Sequence, residues 1–191
     1  MQRALMLSIS AAVMTWAASA IADSPNVKGD YGFTGTNSCI HAAGFTGVNG
    51  GFVATSSGPF ESAAVEGIQT FNGDGTGTVT GSGLVLQFFA LSPPWGVESP
   101  VNFTFSFTYT VNADSTWTSV GGPVASTVTG GPRKGQTVTF NGFPLTGRIS
   151  KNGMTLTAAE LTPTVETMIF SNGDVDQRTC QRSWVYISLQ P

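Results

Sequence analysis

The chain has 191 residues, a formal net charge of −3 and only 10% charged side chains, alongside 24 glycines and 13 phenylalanines. Arg133 and Lys134 are its one adjacent basic pair, so there is no concentrated positive field to hold phosphates, and nucleic acid is excluded as a partner. A single histidine, His41, excludes a multi-histidine metal site, and so few charges argue against a solvated helical exterior.

The chain opens with Arg3, an apolar run from Ala4 to Trp16 and a group of small residues ending Ala20-Ile21-Ala22. The run is too short to span a bilayer and the small-x-small tripeptide suits signal peptidase. Residues 1–22 are therefore read as a cleaved secretory signal, with cleavage after Ala20 as the alternative, and 23–191 as one β-barrel domain. No cysteine stands at the cleavage point to carry a lipid anchor. The expected location is secreted or periplasmic.

Tyr31 to Thr34 reads as the first strand, and the Gly- and Ser-rich stretch after it, through Pro59, as a loop or irregular β excursion. Ala63 to Phe71 and Thr76 to Gln87 flank Asn72-Gly73-Asp74-Gly75, a strong hairpin signal. Pro93-Pro94-Trp95-Gly96 breaks the next connection. Val101 to Val111 then alternates without error, apolar or aromatic at odd positions and small polar at even ones. Eleven such residues span roughly 35 Å with one dry face and one wet face. Asn112-Ala113-Asp114 turns the chain into Ser115 to Val120, and Gly121 to Gly135 reads as a loop. Gln136 to Phe140 and Leu145 to Ser150 are separated by a bulge or corner at Gly142 and Pro144. Met154 to Ala159, Thr164 to Phe170 and Val175 to Leu189 complete the strands, the last two joined across Ser171-Asn172-Gly173-Asp174.

Eight or nine strands in sequential hairpins imply an all-β, antiparallel up-and-down barrel, with a two-sheet β-sandwich as the alternative. Cys39 near the start and Cys180 near the end fit a disulfide joining the first and last strand regions, as barrel closure requires. The competing reading, a catalytic thiol at Cys39 with His41 as its base, rests on the two side chains sharing one face of an extended segment.

Three segments carry a resemblance: Gly29-Asp30-Tyr31-Gly32-Phe33-Thr34-Gly35, Gln69 to Gly81, which reads Thr70-Phe71-Asn72-Gly73-Asp74-Gly75 before ending Thr80-Gly81, and Phe107 to Asp114. Together they are similar to a group of exported bacterial β-barrel proteins, mostly uncharacterised, that resemble lipocalin-like and allene-oxide-cyclase-like barrels. The resemblance covers residues 29–114 best and rests on turn glycines and strand aromatics. It implies a barrel and carries no catalytic residue across.

Phe103, Phe105, Phe107 and Tyr109 share the dry face of the long strand, and Trp117 returns beside them after the turn. These five are the candidate ligand-binding residues, for a neutral or weakly anionic small apolar molecule; the alternative is that they fill the core. Asn72-x-Asp74-x-Thr76-Gly77 mimics the start of a calcium loop, but Gly83 stands where the bidentate Glu would be, so a hairpin turn is the reading and no metal is expected. Among Glu61, Glu66, Asp114, Glu160 and Glu166, the most interesting are Glu66 and Glu166, each within a strand; buried beside Arg148 or Arg182 either would be a candidate acid or base. No nucleophile elbow, zinc pair or phosphate loop is visible, and no cofactor is expected.

Three functions fit. The first is an exported barrel that binds a small apolar ligand or serves as an envelope or extracellular interaction module. The second is a cofactor-independent isomerase or cyclase of allene-oxide-cyclase type. The third, an outer-membrane barrel, lacks a terminal aromatic and comparably apolar strands, so stable membrane insertion is not expected.

Overall fold

The computed structural model describes residues 27–48, 51–89 and 96–190; residues 1–22, read above as a signal, and residues 93–95 of the Pro-Pro-Trp break lie outside them. The described elements are all strands: β1 (Gly29–Ala42), β2 (Phe45–Val48), β3 (Gly51–Ala54), β4 (Phe60–Phe71), β5 (Thr76–Phe88), β6 (Gly96–Val111), β7 (Thr116–Gly121), β8 (Val124–Val128), β9 (Thr137–Phe140), β10 (Pro144–Ile149), β11 (Thr155–Ala159), β12 (Val165–Phe170) and β13 (Val175–Ser188). The β2–β3 hairpin stands apart, and the other strands form one antiparallel sheet that closes where β1 pairs with β13.

The closed sheet is an up-and-down barrel of eight staves. Five are unbroken: β1, β4, β5, β6 and β13. The other three are each made of two short strands in line, β7 with β8, β10 with β9, and β11 with β12. The breaks have local causes. Between the pairs Phe107↔Gly121 and Thr104↔Ala125 the β7–β8 side carries one residue more than β6, a bulge in which the Gly122 amide donates to the Ser106 carbonyl. Asn141, Gly142 and Phe143 interrupt the second stave just before Pro144, which cannot donate to a ladder. Glu160 to Thr164 interrupts the third.

Two expectations change. The first strand is longer than expected, since β1 runs on to Ala42 because the Asn37-Ser38-Cys39-Ile40-His41 segment gains ladder partners on both sides; the β2–β3 hairpin that follows is the β excursion, and Thr55 to Pro59 is loop. Gly121 to Gly135 is not loop throughout, since Val124 to Val128 resumes the stave after the bulge.

Period-two geometry sorts the side chains as the alternation demands. Phe105 and Phe107 are buried, Phe103 and Tyr109 half-buried on the same inward face, and Asn102, Thr104, Ser106 and Thr108 are exposed. At the β7–β10–β11 end the interior is solid aromatic packing. Phe71 is met edge-on by Tyr31, Phe107, Tyr109 and Trp117, with ring centroids 4.9 to 5.9 Å apart. Room for these rings comes from inward-facing glycines directly across the ladder: Phe33 opposite Gly67, Trp184 opposite Gly35, Phe107 opposite Gly77, Phe103 opposite Gly81 and Trp117 opposite Gly147. At each of these a Cβ would meet the facing ring, so the glycines are the sockets that let the barrel curl around its aromatics.

Cys39 and Cys180 are directly opposed on β1 and β13 and are bonded, closing a separation of 141 residues. The thiol-nucleophile reading of Cys39 is thereby excluded. The double variant Cys39→Ser, Cys180→Ser is expected to lose about 2–5 kcal/mol, mainly through the freer unfolded chain, and to keep its barrel. Urea unfolding with and without reductant measures the difference.

Candidate functional site

At the β8–β9–β12 end the barrel is not filled. A cavity of about 110 Å³ lies there, walled by Val65, Val101, Phe103, Phe105, Val138 and Met168 among others, and bordered on its polar side by Asn37, Glu61, Gln87, Arg178 and Arg182. Arg133 and Phe170, both half-buried, stand at its rim, with the Arg133 guanidinium 5.4 Å from the ring centre.

The polar side belongs to a chain of buried charge. Asp176 Oδ2 lies 2.6 Å from His41 Nδ1, and His41 Nε2 lies 3.0 Å from Glu61 Oε2. Arg178 donates to Glu61 Oε1 at 2.7 Å and, through Nε, to Glu166 Oε2 at 2.8 Å. Arg182 Nη2 sits 2.6 Å from Glu166 Oε1, an ion pair without hydrogen-bond alignment, while its Nη1 donates to Glu160. Thr164 donates to the other Glu160 oxygen at 2.8 Å. Each guanidinium also lies over a ring, Arg178 over Phe140 at 4.6 Å and Arg182 over Phe143 at 3.8 Å. His41 and Glu166 are fully buried, and Arg182 nearly so.

Such burial is tolerable because each charge is paired. Burial alone would raise the Glu61 pKa, yet Arg178 and His41 outweigh it and hold the carboxyl down to about 2. Burial likewise works against the His41 cation, but the hydrogen bonds to Asp176 and Glu61 prevail and its pKa is raised. For Glu160 burial wins over Arg182 and the pKa rises. Linkage gives the signs. The Glu61 contribution is present above the ordinary carboxylate range and is lost as pH falls toward about 2. The His41 contribution is present below the ordinary imidazole pKa and is lost as pH rises through the raised one. Stability is expected to peak in the mildly acidic window between them, and His41→Gln should flatten its alkaline limb; melting temperature against pH for both proteins checks this.

The expected ligand residues divide between the two ends. Phe103 and Phe105 line the cavity, whereas Phe107, Tyr109 and Trp117 belong to the packed aromatic end, with Trp117 opposite Val111 and fully buried. Of the two carboxylates singled out, Glu166 points inward between Arg178 and Arg182, and Glu66 is exposed on the outer face. Arg148 is exposed too, 4.0 Å from Asp114. Asp74 turns its carboxylate onto its own hairpin, accepting from the Thr76 amide and hydroxyl, as a turn residue does. Among the described residues no cluster of three or more His, Cys, Asp or Glu is arranged to hold a metal.

Sequence reasoning missed Arg178, Asn37, Gln87 and the pairing of His41 with Asp176. A signal for most of these was present: once Cys39 and Cys180 face inward, period two turns Asn37, His41, Arg178 and Arg182 inward with them. No protein-family model matches this chain, and no curated protein matches it.

Proposed function

We propose that the protein is an exported barrel that holds a small, mainly apolar molecule in the cavity at its β8–β9–β12 end. The observation carrying this reading is the contrast between the two ends: one is packed solid with aromatics, the other keeps a cavity of about 110 Å³ with an apolar wall and a polar border. An engineered apolar cavity of about 150 Å³ admits benzene, so the ligand is of single-ring or short branched-chain size unless the rim at Arg133 and Phe170 opens. The disulfide suits an oxidising compartment, in keeping with secretion or a periplasmic site. The outward face of β6 carries Asn102, Thr104, Ser106, Thr108 and Thr110, the opposite of the apolar band that a membrane stave presents.

Trp184 lines the cavity and Trp117 does not, which makes the test internal. Titration with compact aliphatic probes should change tryptophan emission saturably in the wild type and in Trp117→Phe, and the change should vanish in Trp184→Phe. Absence of saturable binding across chemically varied probes overturns the reading.

A second reading, a cofactor-independent isomerase or cyclase, is favoured by one observation. Asp176, a third exposed, connects through His41 to Glu61 at the cavity border. With its carboxyl held down to about 2, Glu61 would act as a fixed anion facing developing positive charge and not as a base. Turnover that survives in Glu61→Gln would discard this reading.

A further inference from the structure

We propose that Asn37 and Arg182 form a clamp for the oxygen of a neutral carbonyl compound, so that the cavity selects a small ketone, lactone or ester over a hydrocarbon or a carboxylate of the same size. This rests on the cavity being a ligand site, as argued above. Asn37 on β1 and Arg182 on β13 are directly opposed in the ladder, face inward and both border the cavity. Their nearest inward neighbours on one side are the bonded Cys39 and Cys180, which lock the register of the pair, and on the other Gly35 and Trp184.

Both members have donors left over. Arg182 spends Nη1 on Glu160 and Nη2 on Glu166, and its buried Nε has no partner. The Trp184 indole can only donate, and it donates to Asn37 Oδ1 at 3.0 Å. That contact fixes the Asn37 amide with its NH2 directed elsewhere, and among the described residues Nδ2 has no acceptor. Two N–H donors from adjacent strands beside an apolar cavity match one acceptor oxygen with two lone pairs. Arg182 Nε is a buried donor without a partner, which is costly, whereas Asn37 is half-buried; the site gains most from a ligand that brings an acceptor to Nε and can share it with the Asn37 amide.

Charge decides between acceptors. Arg178, Arg182 and protonated His41 already face four carboxylates, those of Glu61, Glu160, Glu166 and Asp176. A further anion would add uncompensated negative charge in a region of low dielectric, whereas a carbonyl oxygen brings an acceptor and no charge. Arg133 at the rim has no carboxylate partner among the described ion pairs, but it stands at the mouth and not beside the clamp.

The test compares cyclopentanone, cyclopentane and cyclopentanecarboxylate as probes of matched ring, followed by 15N–1H spectra in which the Arg182 Nε–H and Asn37 NH2 resonances are read directly. Cyclopentanone is expected to shift both resonances saturably and to bind about tenfold more tightly than cyclopentane, which moves cavity methyls only; the carboxylate should bind more weakly than the ketone. Asn37→Asp keeps the acceptor for Trp184 and removes the amide donor, so it should lose the preference for ketone over hydrocarbon. Equal affinity for ketone and hydrocarbon, stronger binding of the carboxylate, or an unchanged preference in Asn37→Asp overturns the clamp while leaving the cavity reading intact. Failure of cyclopentane and cyclopentanone alike to bind overturns both.

Discussion

Glu166→Ala is expected to lower the unfolding free energy by about 3–5 kcal/mol, while Glu66→Ala, a change of the same chemistry, stays within about 0.5 kcal/mol. Glu166 is fully buried and stands between Arg178 Nε at 2.8 Å and Arg182 Nη2 at 2.6 Å. Its removal strands two guanidinium groups in the barrel, each left with a single carboxylate partner, Glu61 or Glu160. The cost is that of uncompensated charge in a dry interior, and the arginines cannot reach water without leaving Phe140 and Phe143. Glu66 sits on the outer surface opposite Thr34 and Ser82, where water replaces whatever it loses. Urea unfolding of the two variants beside the wild type decides the matter. Equal, small effects would show that the inner network contributes little to stability.

Gly147→Ala is expected to cost about 3–5 kcal/mol, or to prevent folding, although it adds one methyl group. Gly147 lies opposite Trp117 in the β7–β10 ladder and opens the way for the indole to cross it. Trp117, fully buried, donates through Nε1 to the Thr157 carbonyl on β11 at 3.0 Å. A Cβ on residue 147 would collide with that carbonyl oxygen and stand 2.6 Å from the indole nitrogen. The methyl therefore lands on a part-buried hydrogen bond with backbone on one side, and neither partner is a flexible chain end that could swing away. Strand separation, a broken indole hydrogen bond and a displaced tryptophan follow together. Near-ultraviolet circular dichroism reports the tryptophan and thermal unfolding reports the stability. A variant with wild-type values in both would show that the sheet relaxes where the glycine socket is described as rigid.

The barrel was legible in the chain because its determinants are local or periodic. Alternation over Val101 to Val111, the Asn-Gly and Asp-Gly turns and the two distant cysteines each report on neighbours or on a period of two, and all point to antiparallel staves closing on themselves. The split of three staves was only half visible. Gly142 and Pro144 marked one break, but Val124 to Val128 looked like loop because its partner on β6 lies some twenty-four residues away in sequence, at Val101 to Thr104. Local propensity could not show that those residues would resume a ladder after a bulge.

The candidate site was legible in its parts and not in its assembly. The aromatic stripe was evident, yet nothing local distinguishes Phe105, which borders a cavity, from Phe107, which is packed; the difference lies in what the opposite wall supplies at each level. The charges were harder still. Glu66 and Glu166 have similar settings in sequence, each flanked within a strand, and strand register alone sends one outward and the other between two arginines. His41 followed a cysteine by two residues and suggested a thiol pair, whereas closure of β1 on β13 bonded that cysteine and turned the imidazole toward Glu61 and Asp176. Composition, alternation and turn chemistry, acting over a few residues, determined by themselves that this chain would be an antiparallel barrel. Which side chains meet inside it was decided only by the closure of the sheet, since burial and charge pairing depend on residues from strands far apart in sequence arriving at one level of a common interior.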